Sequence, residues 1–372
     1  MITSRPAPTA VKSRDMNAAW RHVDLIMCVL VGLTCLVGTL MVYSATRTKP
    51  ALSGYVDKHI MFIVIGIGVA ALVASFNYER LRALSPMMYL VVVAMLVAVW
   101  RFARPIKGIR AWFELGPIQI QPAELAKFVV IVLVATYLGS IDGQLKLRHL
   151  ITSLVMFAIP MGLIMLQPDL GTNLVFVMIA AGMLVCAGFP LRYIVTLVLV
   201  VVVGVVAILN SDTLEDYQRD RLTSFASADS DSYNTRQSQT AISLGGLAGA
   251  GYLQGEYTKG GSVPEQQTDF IFTVSGEEFG FLGSSVLLLL LAGIIWRVWR
   301  TAQVARDRVG SLMCIGVLCL FMFHVFENVG MSLGIMPVTG IPLPFVSYGG
   351  SAMITAFACV GLVQNVHMRR YH

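Results

Sequence analysis

The chain has 372 residues, of which 56% are hydrophobic and only 13% charged, with a mean hydropathy of +0.73. That balance excludes an ordinary soluble domain and identifies an integral membrane protein. The net charge of +6 does not point to nucleic acid, because in a membrane protein the placement of Lys and Arg along the chain matters more than their sum.

A polar, basic leader, residues 1–22, reads as a cytoplasmic tail. The apolar run that follows, near Val23–Tyr43, is long enough to cross a bilayer and lies too far in for a cleaved signal, so it is a retained anchor. Further runs of about 17–25 residues fall near Ile60–Phe76, Met87–Phe102, Leu125–Leu138, Leu150–Leu166, Leu170–Phe189 and Leu191–Leu209, then near Phe279–Trp299, Leu312–Met336 and Ser351–His367. The expected fold is therefore all-α, a single polytopic membrane domain over 23–372. It is a bundle of about ten transmembrane helices, with a large extracytoplasmic loop, 210–276, between predicted helices 7 and 8. All six cysteines fall inside predicted spans without metal-ligand spacing, which reads as packing rather than disulfides or zinc.

Alternating the spans from a cytoplasmic N-terminus places Arg5, Lys12, Arg14, Arg21, Arg80, Arg82, Lys146, Arg148, Arg192, Arg297, Arg300, Arg306, Arg308, Arg369 and Arg370 inside. The short outer segments hold Arg47, Lys49, Lys58, Arg101, Arg104, Lys107 and Arg110. Fifteen against seven favours both termini inside. Four of the outer charges crowd into WRFARPIKGIRAW, between Trp100 and Trp112. This is either an interfacial belt or a site for an anionic, lipid-linked ligand.

The same alternation puts the unusual polar, Gly-rich and Pro-rich segments on the outer side. In QPAELAK, Pro122 suits a first helical turn, Glu124 favours the positive helix end, and Lys127 lies three residues on along the same face. An ionisable residue a turn into the membrane is costly and usually faces a cavity or partner, so Lys127 is a candidate to hold a phosphate. In QPDLGT, Asp169 is placed to cap the next helix. Ser275-Gly-Glu-Glu278 has the spacing of a capping box ahead of an apolar run. His324, Glu327 and Asn328 share one helical face inside a span, a pattern that serves helix contacts as readily as a ligand path. The loop 210–276 is too long for a simple connection. Its Gly-rich part lacks a nucleotide-binding pattern and suits close packing near the membrane surface. It ends in VPEQQTDFIF, where Glu265 and Asp269 stand. Asp269 reads from the residues alone as an N-cap or as a functional carboxylate.

Taken in order, QPAELAK, QPDLGT, GGLAGAGYLQG, VPEQQTDFIF, EEFG and GIMPVTGIPLPFVSYGGS resemble the SEDS family (shape, elongation, division and sporulation) over nearly the whole chain. The GIPLP segment and the Gly-rich loop look more like the elongation branch than the division branch. The resemblance implies a peptidoglycan glycosyltransferase of the bacterial cytoplasmic membrane, which polymerises lipid II on the outer face beside a class B penicillin-binding protein. By motif, Asp269 matches the family's essential aspartate. Lys127, Glu124 and Asp169 match polar positions around the same cavity, and Glu265, Arg110, Arg221 and Ser347 complete the substrate-binding set. Two departures stand out: Gln267 replaces the histidine common before Thr-Asp, and Ala111 replaces a basic residue common before the Trp, with Arg110 one position earlier.

The chemistry agrees with one key carboxylate. Cleaving an ordinary glycoside needs two, but a sugar diphosphate leaves as a stable anion that needs positive charge more than a proton. Asp269 then acts as general base on the acceptor hydroxyl, with inversion at the anomeric carbon. Lys127, the basic outer loop or a divalent cation, Mg2+ or Mn2+, compensates the diphosphate. Glu265 serves as a substrate contact or as a partner of Arg221 or Arg236. The competing readings are a lipid II flippase, which needs a polar path through the bilayer, a division-type polymerase, and a scaffold.

Overall fold

The computed structural model describes residues 22–104, 110–115, 118–190, 192–193, 195–196 and 233–371. Residues 1–21 of the leader, most of predicted helix 7 and the first part of the long loop, Arg221 included, lie outside the described residues.

The remaining nine predicted spans are all helices, in the predicted order. These are α1 (Leu25–Thr46), α2 (Tyr55–Ser75), α3 (Tyr78–Phe102), α4 (Pro122–Gly139), α5 (Leu147–Met165) and α6 (Leu170–Cys186). The long loop contributes two further helices, α7 (Tyr233–Gly245) and the short α8 (Glu256–Gly260), and then come α9 (Ile271–Gln303), α10 (Arg308–Ser332) and α11 (Gly350–Met368). All but α6, α7 and α8 are long and apolar enough to cross a bilayer by themselves. The chain is a multi-pass membrane protein.

Local chemistry sets the helix starts. Asp24 caps α1 by accepting from the Met27 amide, Asn77 caps α3 through the Glu79 amide, and Pro122 occupies the first turn of α4, where a missing N–H costs nothing. The helices then sort into two layers. In α4, α10 and α11 the most apolar windows are 78%, 67% and 83% buried, whereas those of α2 and α3 are 22%. The first three form the core, apolar around most of their circumference apart from buried side chains such as Lys127 and His324, and the more exposed helices form the outer layer. Ile131, Met183, Val317, Phe321 and Phe357 are among the residues that fill that core.

Two features differ from the expectation. Phe113–Leu115 and Ile118–Ile120 form a two-stranded antiparallel hairpin, β1 and β2, with Phe113 opposite Ile120 and Leu115 opposite Ile118. The Ser275–Glu278 capping box does not form: both residues lie inside α9, whose N-cap is Phe270. The actual break comes two residues later, at Gly280, with φ 65° and ψ −162°. Only glycine tolerates this backbone region. Beyond it, Phe281–Gln303 runs for about 34 Å at 1.5 Å per residue, which matches the ~30 Å apolar core of a bilayer.

Hydrogen bonds between helix ends define two poles. At one, Asp24 pairs with Arg297 at 2.7 Å, the Asp24 amide donates to Gln364, and Tyr78 bonds Asp307. The other pole gathers the N-termini of α4, α6, α9 and α11 with the C-termini of α1 and α10.

Candidate functional site

The second pole is built from the motifs singled out in the sequence. The turn Pro264–Phe270 is folded on itself, with the Asp269 amide donating to the Glu265 carbonyl at 3.0 Å and Glu265 at φ 49°. It is anchored from three sides. Asn328 of α10 donates its side-chain N–H groups to the carbonyls of Asp269 and Ile341, both at 2.8 Å. The Tyr348 amide donates to the Gln267 carbonyl at 2.9 Å. Glu277, nearly two helical turns inside α9, accepts from the Tyr257 and Thr258 amides at 2.7 and 2.9 Å and from the Thr258 hydroxyl at 2.6 Å, and Gln266 donates to that hydroxyl at 3.0 Å. The aspartate is thus held on a braced turn rather than a free loop.

Asp269 is half-buried and sits one residue before the α9 cap position, which falls on Phe270. A methyl group added at Gly340 would lie 3.5 Å from its Oδ2, so the segment 339–341 passes directly over the carboxylate. The preceding Thr339 donates to Glu327 at 2.9 Å, and its carbonyl packs so tightly on Gly171 of α6 that a Cβ there would come within 2.6 Å. Glu265 accepts from Gln267 at 3.3 Å. Half-buried Lys49 has its pKa lowered by burial, an effect opposed by the Glu265 charge.

Asp169 caps α6, accepting from the Thr172 amide at 2.9 Å and hydroxyl at 2.8 Å. Its other neighbour is Gln121, the α4 cap residue, which donates to Oδ2 at 3.2 Å. The starts of α4 and α6 are therefore tied together. Gln121 in turn donates its amide to Ser351 of α11 at 2.9 Å.

Glu124 and Lys127 pair at 2.7 Å, as their spacing predicts. Lys127 does not, however, face outer water: it is 2% exposed and lies about 9 Å along α4 from Gln121. Its ammonium is held between Glu124 and His324 Nε2, the latter at 3.3 Å. Beside them is a cavity of about 10 Å³, the size of one water, lined by Glu124, His324, Ser347 and Thr355 among others. Ser347 is buried and accepts from the Leu343 amide at 2.8 Å, so its visible role is to shape that loop. Arg110 is exposed, and among the described residues no contact draws it to this cluster.

Sequence reasoning missed the roles of Lys49 and Glu277 and left His324 open between a helix contact and a ligand path. Glu277 had no local signal, since its partners lie 19 and 20 residues earlier. Among the described residues no three His, Cys, Asp or Glu side chains converge on one point, so they form no metal centre built from protein side chains alone.

Comparison with known proteins agrees with this architecture. The family model of the FtsW, RodA and SpoVE cell cycle proteins matches residues 23–372. The chain is 33% identical to the peptidoglycan glycosyltransferase MrdB of Escherichia coli strain K12, covering 94% of each chain. It is 32% identical to the probable peptidoglycan glycosyltransferase FtsW of Bacillus subtilis, covering 94% of this chain and 91% of that one. Among solved structures it superposes with a TM-score of 0.83 on a chain of a peptidoglycan synthase complex that coordinates polymerization and crosslinking, at 29% identity over 94% of this chain and 99% of that one. With the rod shape determining protein RodA of Thermus thermophilus the TM-score is 0.72, at 28% identity over 95% and 99%. With the family model matching residues 23–372 and relatives 32–33% identical over nearly its whole length, the chain belongs to the SEDS family of FtsW, RodA and SpoVE proteins.

Proposed function

We infer that the protein is a peptidoglycan glycosyltransferase that polymerises lipid II, the undecaprenyl-diphosphate-linked disaccharide-pentapeptide, with Asp269 as general base. The observation that carries this reading is the braced turn. Asn328, Tyr348 and Gln266 hold the backbone around Asp269, while its half-buried carboxylate stays at the polar pole of the bundle. A base works only if its position is held within hydrogen-bond reach of the hydroxyl it deprotonates. The acceptor hydroxyl attacks the anomeric carbon as Asp269 takes its proton, and the bond to the diphosphate breaks with inversion. Lys127, Glu124, Asp169, Glu265, Arg110, Arg221 and Ser347 remain the proposed substrate-binding set. Lys127 serves the diphosphate from the interior side, and the lysine and arginine residues of the outer loops serve it from the water side. A Mg2+ or Mn2+ ion, in this proposal, arrives on the substrate's phosphates and takes at most one or two protein carboxylates, the usual manner of Mg2+.

The polar pole faces the outside of the bacterial cytoplasmic membrane and both termini face the cytoplasm, supported by the charge bias. A class B penicillin-binding protein supplies the crosslinking; the structural likeness to a complex that joins the two activities supports it. The two branches of the family match with similar identity, and the GIPLP segment and the Gly-rich loop are the basis for proposing the elongation branch. Against flippase activity, the buried Glu124–Lys127–His324 cluster lies only about 9 Å along α4 from Gln121, and the core between it and the Asp24–Arg297 pole is apolar.

The test is Asp269→Asn in purified protein given lipid II. The change preserves shape and removes the proton acceptor, so polymerisation falls by about 10²–10⁴. Glu278→Gln keeps an acceptor for the Ser44 hydroxyl, 2.5 Å from Glu278, and polymerises as wild type. An Asp269→Asn protein of unchanged melting temperature that polymerises normally removes the assignment.

A further inference from the structure

His324 sits at a junction that the proposed chemistry does not by itself require. It is 4% exposed, on α10, with Nδ1 3.1 Å from the Pro342 carbonyl and Nε2 3.3 Å from Lys127 Nζ. A carbonyl oxygen can only accept, so Nδ1 carries the hydrogen. An ammonium can only donate, and Lys127 is an ammonium because it lies 2.7 Å from the Glu124 carboxylate. Nε2 is then the acceptor. The two partners together admit a single form of the ring: neutral, with its hydrogen on Nδ1.

The consequence is geometric. Lysine is a flexible four-carbon stem ending in a point charge, and Glu124, three residues earlier on the same helix, restrains it from one side only. His324 restrains it from a second helix. Through Pro342 the same ring is tied to the loop that passes over Asp269 at Gly340 and folds back at Ser347. Lys127, on α4, and the 339–347 segment are thus held in register by one imidazole.

We propose that His324 is a positioning residue for the polymerisation reaction, holding the Lys127 ammonium in place relative to the loop that covers Asp269. This rests on the reading that Lys127 stabilises the departing diphosphate. The two bonds of the ring can be separated. His324→Gln extends an amide oxygen to the place of Nε2 and keeps the Lys127 bond. His324→Asn puts an amide N–H at the place of Nδ1 and keeps only the Pro342 bond. His324→Leu keeps neither.

The experiment measures lipid II polymerisation by purified full-length protein in proteoliposomes. His324→Asn and His324→Leu are expected to lower kcat by about 10–100-fold, the scale of a misplaced charge, with a smaller change in KM, and His324→Gln to recover most of the loss. In a Lys127→Met background His324→Leu adds no further loss, because residues acting through one another are not additive. An independent readout is 15N-histidine NMR: the His324 signal, identified by its loss in His324→Gln, shows the Nδ1–H form, and its Nε2 resonance moves in Lys127→Met. The proposal is overturned by an Nε2–H ring, by wild-type turnover in His324→Asn, or by an equal loss with and without Lys127. If His324→Leu does not fold, the Asn variant and the spectrum decide. Failure of the Asp269 assignment would show separately, as normal turnover in Asp269→Asn, and wild-type turnover in Lys127→Met would remove the role of the lysine whatever the ring form.

Discussion

Buried charge is the dominant cost at the residue scale. Lys127 and Glu124 are 2% and 5% exposed, and each is tolerable only because the other is there. Removing one partner from such a pair typically costs about 3–5 kcal/mol, whereas replacing both with apolar groups of similar volume is often close to neutral. Glu124→Leu is accordingly expected to lower the melting temperature sharply. The double change Glu124→Leu with Lys127→Met should restore most of it while leaving polymerisation low, since the cation is gone. Thermal unfolding in detergent beside an activity assay checks both halves. A double variant as unstable as the single one would mean that the pair is not the stabilising unit. Asp169 belongs to a milder class: its carboxylate meets backbone and side-chain donors at the bundle's edge, so its structural role overlaps the substrate contact proposed for it.

At the scale of elements, the kink in α9 explains how one helix serves two solvents. The part before Gly280 is packed inside protein, with Ile271, Val274, Glu277 and Glu278 all buried, while Phe281, Leu282 and Leu289 after it are exposed. The Gly-rich turn fits against this break, as the Phe281 and Leu282 amides donate to the carbonyls of Gly246 and Leu247 at 2.9 and 3.1 Å. A Cβ at Gly280 would strike the Gly249 nitrogen and come within 2.8 Å of the Leu247 carbonyl, in a backbone region that costs a non-glycine residue about 1–3 kcal/mol by itself. Gly280→Ala is therefore expected to destabilise the protein and to free the Gly-rich turn for protease cleavage. Unchanged melting and unchanged proteolysis would argue against the kink.

The whole molecule raises two questions, orientation and company. Single cysteines introduced at exposed Glu256 and Tyr371, in a cysteine-free background, sample the two poles. An impermeant reagent added to intact cells whose outer membrane is permeabilised is expected to label the first and spare the second, and the reverse pattern would invert the proposed topology. As for company, the described helices include no soluble transpeptidase-like domain, and helices such as α2 and α3 are mostly open to the membrane. Co-purification with a class B penicillin-binding protein, together with a change in polymerisation rate on mixing, is the expected result. Separate elution with an unaltered rate would leave the protein acting alone.

The sequence by itself determined what depends on solvent and on short range. Apolar runs of bilayer length can only become membrane-crossing helices, because backbone groups have no other partner in lipid, and so nine apolar helices within the described residues, eight of them of spanning length, could be read in order. The i,i+3 pair Glu124–Lys127 and the Asp169 cap are equally local and were equally legible. Tertiary structure alone decided the rest. The Ser-x-x-Glu spacing at 275–278 predicts a helix start, but packing against the Gly-rich turn carried the helix through it and moved the break to Gly280. The short paired strands Phe113–Leu115 and Ile118–Ile120 hide in a segment dominated by its basic and aromatic residues. His324 meets Lys127 across 197 positions of chain and Asn328 meets Asp269 across 59. No periodicity encodes such contacts, because they exist only once helices far apart in sequence have packed and each buried polar group must find whatever partner lies opposite.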